Sequence, residues 1–224
     1  MHRRPAFIFD LDGTLVDSVY QHVLAWQEAL DAEGIALSVW RIHRKIGMSG
    51  GLFANQLLRE IRMDITEART DRLRQVHAAA YRRLSGKVRP LPGAVALLGA
   101  LVAADIPWAI ATSGRMETAA PNIEALGVDL TRAVVVTRDQ VKYAKPDPDL
   151  FLEAAARLGV DPVNTMVVGD SIWDMLAARR CQALGVGLQS GGYGIDELER
   201  AGAYRVYEDP ADLLDHLDEV GGRR

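Results

Sequence analysis

Short apolar runs of strand length recur along the chain with helix-length segments between them, and this alternation restricts the fold more than any other feature. The runs are Ala6–Phe9, Pro107–Ala111, Ala133–Val136, Thr165–Val168 and Ala183–Leu188, with Tyr204–Tyr207 as a sixth. Between the later ones lie Gly93–Ala104, Arg115–Leu126, Asp147–Leu158 and Ile172–Cys181, each long enough for a helix. Strands joined through helices pair in parallel and need cover on both faces, which predicts a three-layer α/β core. The interval 18–87 breaks the pattern. It has no Val/Ile run, and "QHVLAWQEALDAEG", "LFANQLLREI" and "TDRLRQVHAAAYRRL" are amphipathic at helical spacing. About four helices are therefore expected as an insertion, with 1–17 and 88–224 forming the core. Pro90 and Pro92 mark the return to the sheet.

Composition excludes several classes of function. The net charge of −4 argues against a general nucleic-acid or membrane-surface binder. A single cysteine, Cys181, excludes an intramolecular disulfide framework. The basic Met1–Pro5 is followed by an apolar stretch too short for a signal-peptide core, and no run approaches the roughly 18 apolar residues of a membrane span. A cytoplasmic protein is the expectation. Oligomeric state is not legible.

In open parallel sheets, ligands bind outside the carboxyl ends of the strands. Asp10, Asp12 and Gly13 follow the first run, and Thr112, Ser113 and Gly114 the second. Thr137, Arg138 and Asp139 follow the third, with "AKPDPD" (Ala144–Asp149) soon after. Gly169, Asp170 and Ser171 follow the fourth, with Asp174 four beyond Asp170. One edge thus gathers carboxylates, small hydroxyls and Lys145. Crowded carboxylates stay ionised only if a cation joins them, and hard oxygen donors without His or Cys suit Mg²⁺. Mg²⁺ would bring a phosphate beside Asp10, with Lys145 and the Thr112–Gly114 hydrogen-bond donors around its oxygens. Each motif alone is an ordinary cap or turn signal. Their order and their common place after strands carry the reading.

The set resembles the four motifs of the haloacid dehalogenase-like superfamily: "DLDGT" (Asp10–Thr14), "TSG" (Thr112–Gly114), "KP" (Lys145–Pro146) and "GDSIWD" (Gly169–Asp174), in the family's order over nearly the whole chain. The resemblance implies a Rossmann-like core with a helical cap domain inserted at 18–87. It implies Asp10 as a nucleophile forming an aspartyl-phosphate and Asp12 as general acid/base. Thr112 and Lys145 would bind phosphate, joined by Ser113 and Gly114. Asp170, Asp10 and the Asp12 carbonyl would ligate Mg²⁺, with Asp174 a ligand or a partner of one. The dehalogenases lack the second aspartate, so Asp12 implies phosphoryl chemistry.

Within the insertion, "HVLAW" (His22–Trp26) resembles the H-x-x-x-W of β-phosphoglucomutases and related sugar phosphatases, implicating His22 and Trp26 in the substrate cleft. The loop Gly47-Met48-Ser49-Gly50 has Gly50 where the mutase has a phosphate-binding arginine. Gly47 and Ser49 are expected to approach the substrate, and Arg44 or Lys45 to supply the missing anchor. Cap hinges are expected near Val16–Ser18 and Lys87–Leu91. The expected activity is hydrolysis of a small phosphorylated metabolite, a sugar phosphate or phosphoglycolate, with phosphomutase as the alternative. Two readings of other classes are a phosphorelay receiver, which needs no insertion of this size, and a catalytically silent binding protein of the same fold.

Overall fold

The computed structural model describes residues 5–63 and 66–222; the basic Met1–Arg4 of the sequence reading lies outside them. The chain begins with β1 (Ala6–Phe9) and leaves at once into four helices: α1 (Val19–Ala32), α2 (Val39–His43), α3 (Gly50–Glu60) and α4 (Glu67–Leu84). It then alternates through α5 (Ala94–Ala103), β2 (Trp108–Ala111), α6 (Met116–Ala125), β3 (Val134–Val136), α7 (Asp149–Leu158) and β4 (Thr165–Gly169). It closes with α8 (Ile172–Arg180), β5 (Leu184–Leu188), α9 (Ile195–Ala201), β6 (Ala203–Tyr207) and α10 (Pro210–Asp215).

The six strands form one sheet in the order β3-β2-β1-β4-β5-β6, every pair parallel. Successive side chains of a strand point to opposite faces. Phe7 and Phe9 accordingly pack with Leu97, Leu101 and Ile123 on one face, while Ile8 packs with Phe151, Ala154 and Ala178 on the other. This is the expected three-layer arrangement. Boundaries differ by a residue or two where proline intervenes. Pro107 offers its carbonyl to Phe7 N–H at 2.9 Å but has no N–H of its own for the ladder, so β2 starts at Trp108. Pro148 caps α7, which therefore starts at Asp149 and not at Asp147.

The chain runs outward from β1 through β2 to β3, then crosses to the other side of β1 for β4. The crevice of such a sheet lies at this reversal, beyond the carboxyl ends of β1 and β4. Asp10 N–H donates to Val168 O at 2.9 Å, which sets Asp10 beside the end of β4.

The helices α1–α4 build their own core from Val23, Trp26, Leu30, Ile42, Phe53, Leu57 and Leu73. The two segments joining them to the sheet run side by side. Asp17 N–H donates to Arg89 O and Leu91 N–H to Leu15 O, both at 2.9 Å, with an antiparallel bridge between Val16 and Pro90. Among the described residues, no helix is long and apolar enough to cross a membrane.

Candidate active site

Asp10, Asp170 and Asp174 bring carboxylate oxygens within 4.8 Å of one another, and all three are buried. Thr14 Oγ donates to Asp170 Oδ1 at 2.9 Å. Two glycines close tightly around Asp170. A Cβ on Gly13, which has φ +83°, would lie 2.5 Å from Asp170 Oδ2, and one on Gly191 would lie 1.7 Å from it. Only residues without a side chain fit there.

Lys145 is the cation of this group. Its ammonium contacts Asp10 Oδ1 and lies 2.8 Å from Asp174 Oδ1. Burial works against its charge, but Asp10 and Asp174 outweigh burial and hold Lys145 above the ordinary lysine range. Asp174 is fixed from its other oxygen, which accepts from Ser171 N–H at 3.1 Å and Ser171 Oγ–H at 2.5 Å. Both oxygens of Asp174 are thus engaged by protein groups.

One ammonium does not balance three carboxylates. Burial pushes the Asp10 carboxyl up to about 7; Lys145 opposes this, and the charges of Asp174 and Asp12 add to the rise. Burial, then Asp174 and Asp10, push Asp170 well above the usual carboxylate range. The deficit of positive charge and the all-oxygen donor set fit a divalent hard cation such as Mg²⁺.

Asp12 lies apart from this group. Its Oδ1 accepts from Ser18 Oγ at 2.6 Å and from Asn122 Nδ2 at 3.3 Å, and lies 3.3 Å from His22 Nε2. Burial disfavours its charge, but His22 and the Ser18 hydrogen bond outweigh burial and lower its pKa. The Asp12 carboxylate, with Oδ1 turned to these three partners, is not among the clustered oxygens of Asp10, Asp170 and Asp174.

The Asp12 partners belong to a wider network. His22 Nδ1 is 3.2 Å from His77 Nε2, and His22 stacks on Tyr81 with ring centroids 3.9 Å apart. Asn122 Nδ2 also donates to Tyr81 OH at 2.7 Å. Burial and then His22 hold His77 well below the usual histidine range, so it is neutral. Trp26 stacks between Phe53 and His77, at 4.1 and 4.3 Å. The helices supply these contacts by spacing alone: His22 and Trp26 are four apart on α1, as are His77 and Tyr81 on α4, and each pair shares a face.

A cleft of about 410 Å³ lies between these helices and the sheet edge. Its walls include Asp10, Asp12, Thr112, Ser113, Gly114, His22, Trp26, Gly47 and Ser49. Thr112 Oγ1 accepts from Gly114 N–H at 2.9 Å, which leaves the hydroxyl hydrogen to donate. Ser113 Oγ is buried and has no hydrogen-bond partner among the described residues. Ser49 caps α3, accepting from Leu52 N–H at 3.4 Å.

Arg44 is elsewhere. Its guanidinium pairs with Glu197 and stacks over the Tyr193 ring at 4.0 Å, and its carbonyl accepts from Tyr193 OH at 2.9 Å. The expectation that it lines the substrate cleft is therefore corrected: a carboxylate and an aromatic face of the sheet domain hold it. Lys45, its neighbour, does line the cleft and pairs with Glu60 at 2.5 Å. Sequence reading missed Asn122, Tyr81, Arg74 and a site role for His77; the i, i+4 pairing of His77 with Tyr81 is the signal that repeats His22 and Trp26.

Comparison with known proteins identifies the family. Residues 5–182 match the family model of haloacid dehalogenase-like hydrolases. The chain is 35% identical to hexitol phosphatase A of Escherichia coli over 190 residues, covering 82% of this chain and 83% of that one. It is 31% identical to a phosphoglycolate phosphatase of Agrobacterium fabrum over 189 residues, covering 84% and 81%. The crystal structure of a hydrolase from Pseudomonas syringae superposes with a TM-score of 0.96 at 60% identity, covering 97% of this chain and all of that one. The chain is an enzyme and belongs to the haloacid dehalogenase-like hydrolases.

Proposed function

We propose that this enzyme is a Mg²⁺-dependent phosphatase that hydrolyses a small phosphorylated metabolite through an aspartyl-phosphate on Asp10. The observation that carries the reading is the contrast between two carboxylates two positions apart. Asp10 is buried at the cleft wall with Lys145, Asp170 and Asp174 around it, while Asp12 is held separately by Ser18, His22 and Asn122. Two carboxylates in different surroundings take different roles. The named relatives, a hexitol phosphatase and a phosphoglycolate phosphatase, support a phosphate monoester as substrate.

An Asp10 oxygen attacks phosphorus, the P–O ester bond breaks, and the departing oxygen takes a proton from Asp12. Water then attacks the acyl-phosphate as Asp12 accepts its proton, releasing inorganic phosphate and the Asp10 carboxylate. The lowered pKa of Asp12 keeps it ionised, which suits the second step. An arriving phosphate dianion raises its proton affinity by like-charge repulsion, which suits the first. Lys145 and the hydroxyls of Thr112 and Ser113 bind the phosphoryl oxygens. Asp10, Asp170 and the Asp12 carbonyl would hold Mg²⁺, with Asp174 fixing Lys145 beside them; the bound ion supplies neutralisation of phosphoryl charge. The helical insertion acts as the cap over this chemistry, and the mutually stacked Trp26, His77 and His22 line the cleft wall beside the substrate. Replacing Asp10 by Asn tests the assignment. Turnover of an aryl phosphate with Mg²⁺ should fall by at least about a thousandfold with the fold intact; a variant that keeps more than that has another nucleophile.

A further inference from the structure

Four cationic side chains line the cleft: Lys45, Arg74, Arg115 and Arg138. Their partners differ. Lys45 pairs with Glu60, and Arg115 with Asp139 at 2.6 Å. Arg138 donates to the Val141 carbonyl at 2.6 Å, and among the described residues no carboxylate forms an ion pair with it. Its own N–H is tied to Gly114 O at 2.9 Å, next to the Thr112–Gly114 turn.

Arg74 approaches from the opposite wall, on α4. The glycine pair Gly50–Gly51 makes room for it: a Cβ on Gly51 would lie 3.2 Å from Arg74 Nη1, and one on Gly50 would lie 3.8 Å from its Cγ. Arg74 contacts Asp71, yet burial and then the charges of Arg115 and Arg138 lower its pKa. Arg74, Arg115 and Arg138 thus line a single cleft, with Arg74 on the helical wall and Arg115 and Arg138 on the sheet side, an arrangement that favours an anion between them. The cation in contact with Asp10 is Lys145, which leaves these arginines for an anion elsewhere on the substrate.

We propose that Arg74 and Arg138 form a second anion subsite, so that the preferred substrate is a phosphate monoester whose other end carries a carboxylate or a second phosphate. The inference rests on the phosphatase reading and narrows its substrate class. Arg74 takes the place opened by Gly50–Gly51, and the planar forks of both arginines match carboxylate and phosphate oxygens.

The test compares kcat/KM within two matched pairs: phosphoglycolate against 2-hydroxyethyl phosphate, and glucose 1,6-bisphosphate against glucose 6-phosphate. The anionic member of one pair should be favoured by about tenfold to a hundredfold, and the pair that shows it identifies carboxylate or phosphate as the second group. Arg74→Gln and Arg138→Gln should each erode that preference mainly through KM while leaving the uncharged member within about twofold, and Arg74→Lys should restore part of it. Equal rates within both pairs, or equal losses on both members in the variants, would overturn the subsite and leave the phosphatase reading standing. Absence of turnover on every monoester, aryl phosphate included, would overturn both.

Discussion

The ammonium of Lys145 rests against the carboxylate of Asp10, with the two side chains only 0% and 5% exposed. A buried charge pair of this kind is costly to break from one side. Lys145→Met leaves Asp10, Asp170 and Asp174 together with no cation among the protein groups around them. The variant should lose activity by at least about a thousandfold and should unfold about 3–5 kcal/mol more easily in urea without metal. A full-strength melt with lost activity would confine Lys145 to the chemistry.

The carboxylates set a pH dependence. Asp10 is raised from 3.8 to about 7 and Asp170 is raised in the same direction. In the unfolded chain both ionise near the ordinary value, so between about pH 4 and 7 the metal-free native state holds more protons. Each group therefore costs stability as pH climbs through that window, and the cost is complete above the native pKa. A divalent cation removes the cost by pairing with the ionised forms. The rise in Tm given by millimolar Mg²⁺ should thus be larger at pH 8 than at pH 5. An equal rise at both values would separate the metal from these carboxylates.

Asp12→Ala should discriminate between leaving groups. A sugar alkoxide needs a proton from Asp12, whereas a nitrophenolate departs nearly unaided. The variant should lose about tenfold or more additional rate in the phosphorylation step on a sugar phosphate than on an aryl phosphate. The phosphoenzyme should then accumulate, because water attack lacks its base. Rapid-quench assays read both effects; equal losses and no phosphoenzyme would reduce Asp12 to a turn residue.

Arg44→Ala probes the clasp between the insertion and the sheet domain. The Arg44–Glu197 pair is partly open to solvent, its side chains 34% and 43% exposed, so its loss should cost less than about 1 kcal/mol. KM should rise by similar factors for anionic and uncharged substrates, since the side chain faces Glu197 and Tyr193. A loss confined to anionic substrates would return Arg44 to the substrate cleft.

The sheet was legible because its strands are short apolar runs whose neighbours are helices, and the edge because chemistry-bearing residues directly follow those runs. Asp10, Thr112 and Asp170 therefore stand directly after β1, β2 and β4, and Lys145 reaches the same edge from the segment between β3 and α7. Arg44 was not legible. It stands three residues before Gly47 and so looks like part of the cleft loop, but its partner Glu197 lies 153 residues away. Local spacing carries no information about such a contact. The same holds for Asn122, whose buried amide joins Asp12 to Tyr81 from α6. Arg74 was hidden for another reason: on an amphipathic helix an arginine reads as a solvated face, and only the neighbouring α3 glycines reveal the opening beside it.

The paired segments Leu15–Asp17 and Arg89–Leu91 act together as a strap, because the two hydrogen bonds of the Val16–Pro90 bridge hold them edge to edge. A strap flexes about one axis and resists torsion, whereas two free threads would let the load spin. A swing of α1–α4 about this strap would be a nod. Ser18 follows the first of these segments and His22 comes a turn later, and both grip Asp12. A nod would therefore reach Asp12 through Ser18 and His22, and with it the proton transfer proposed above.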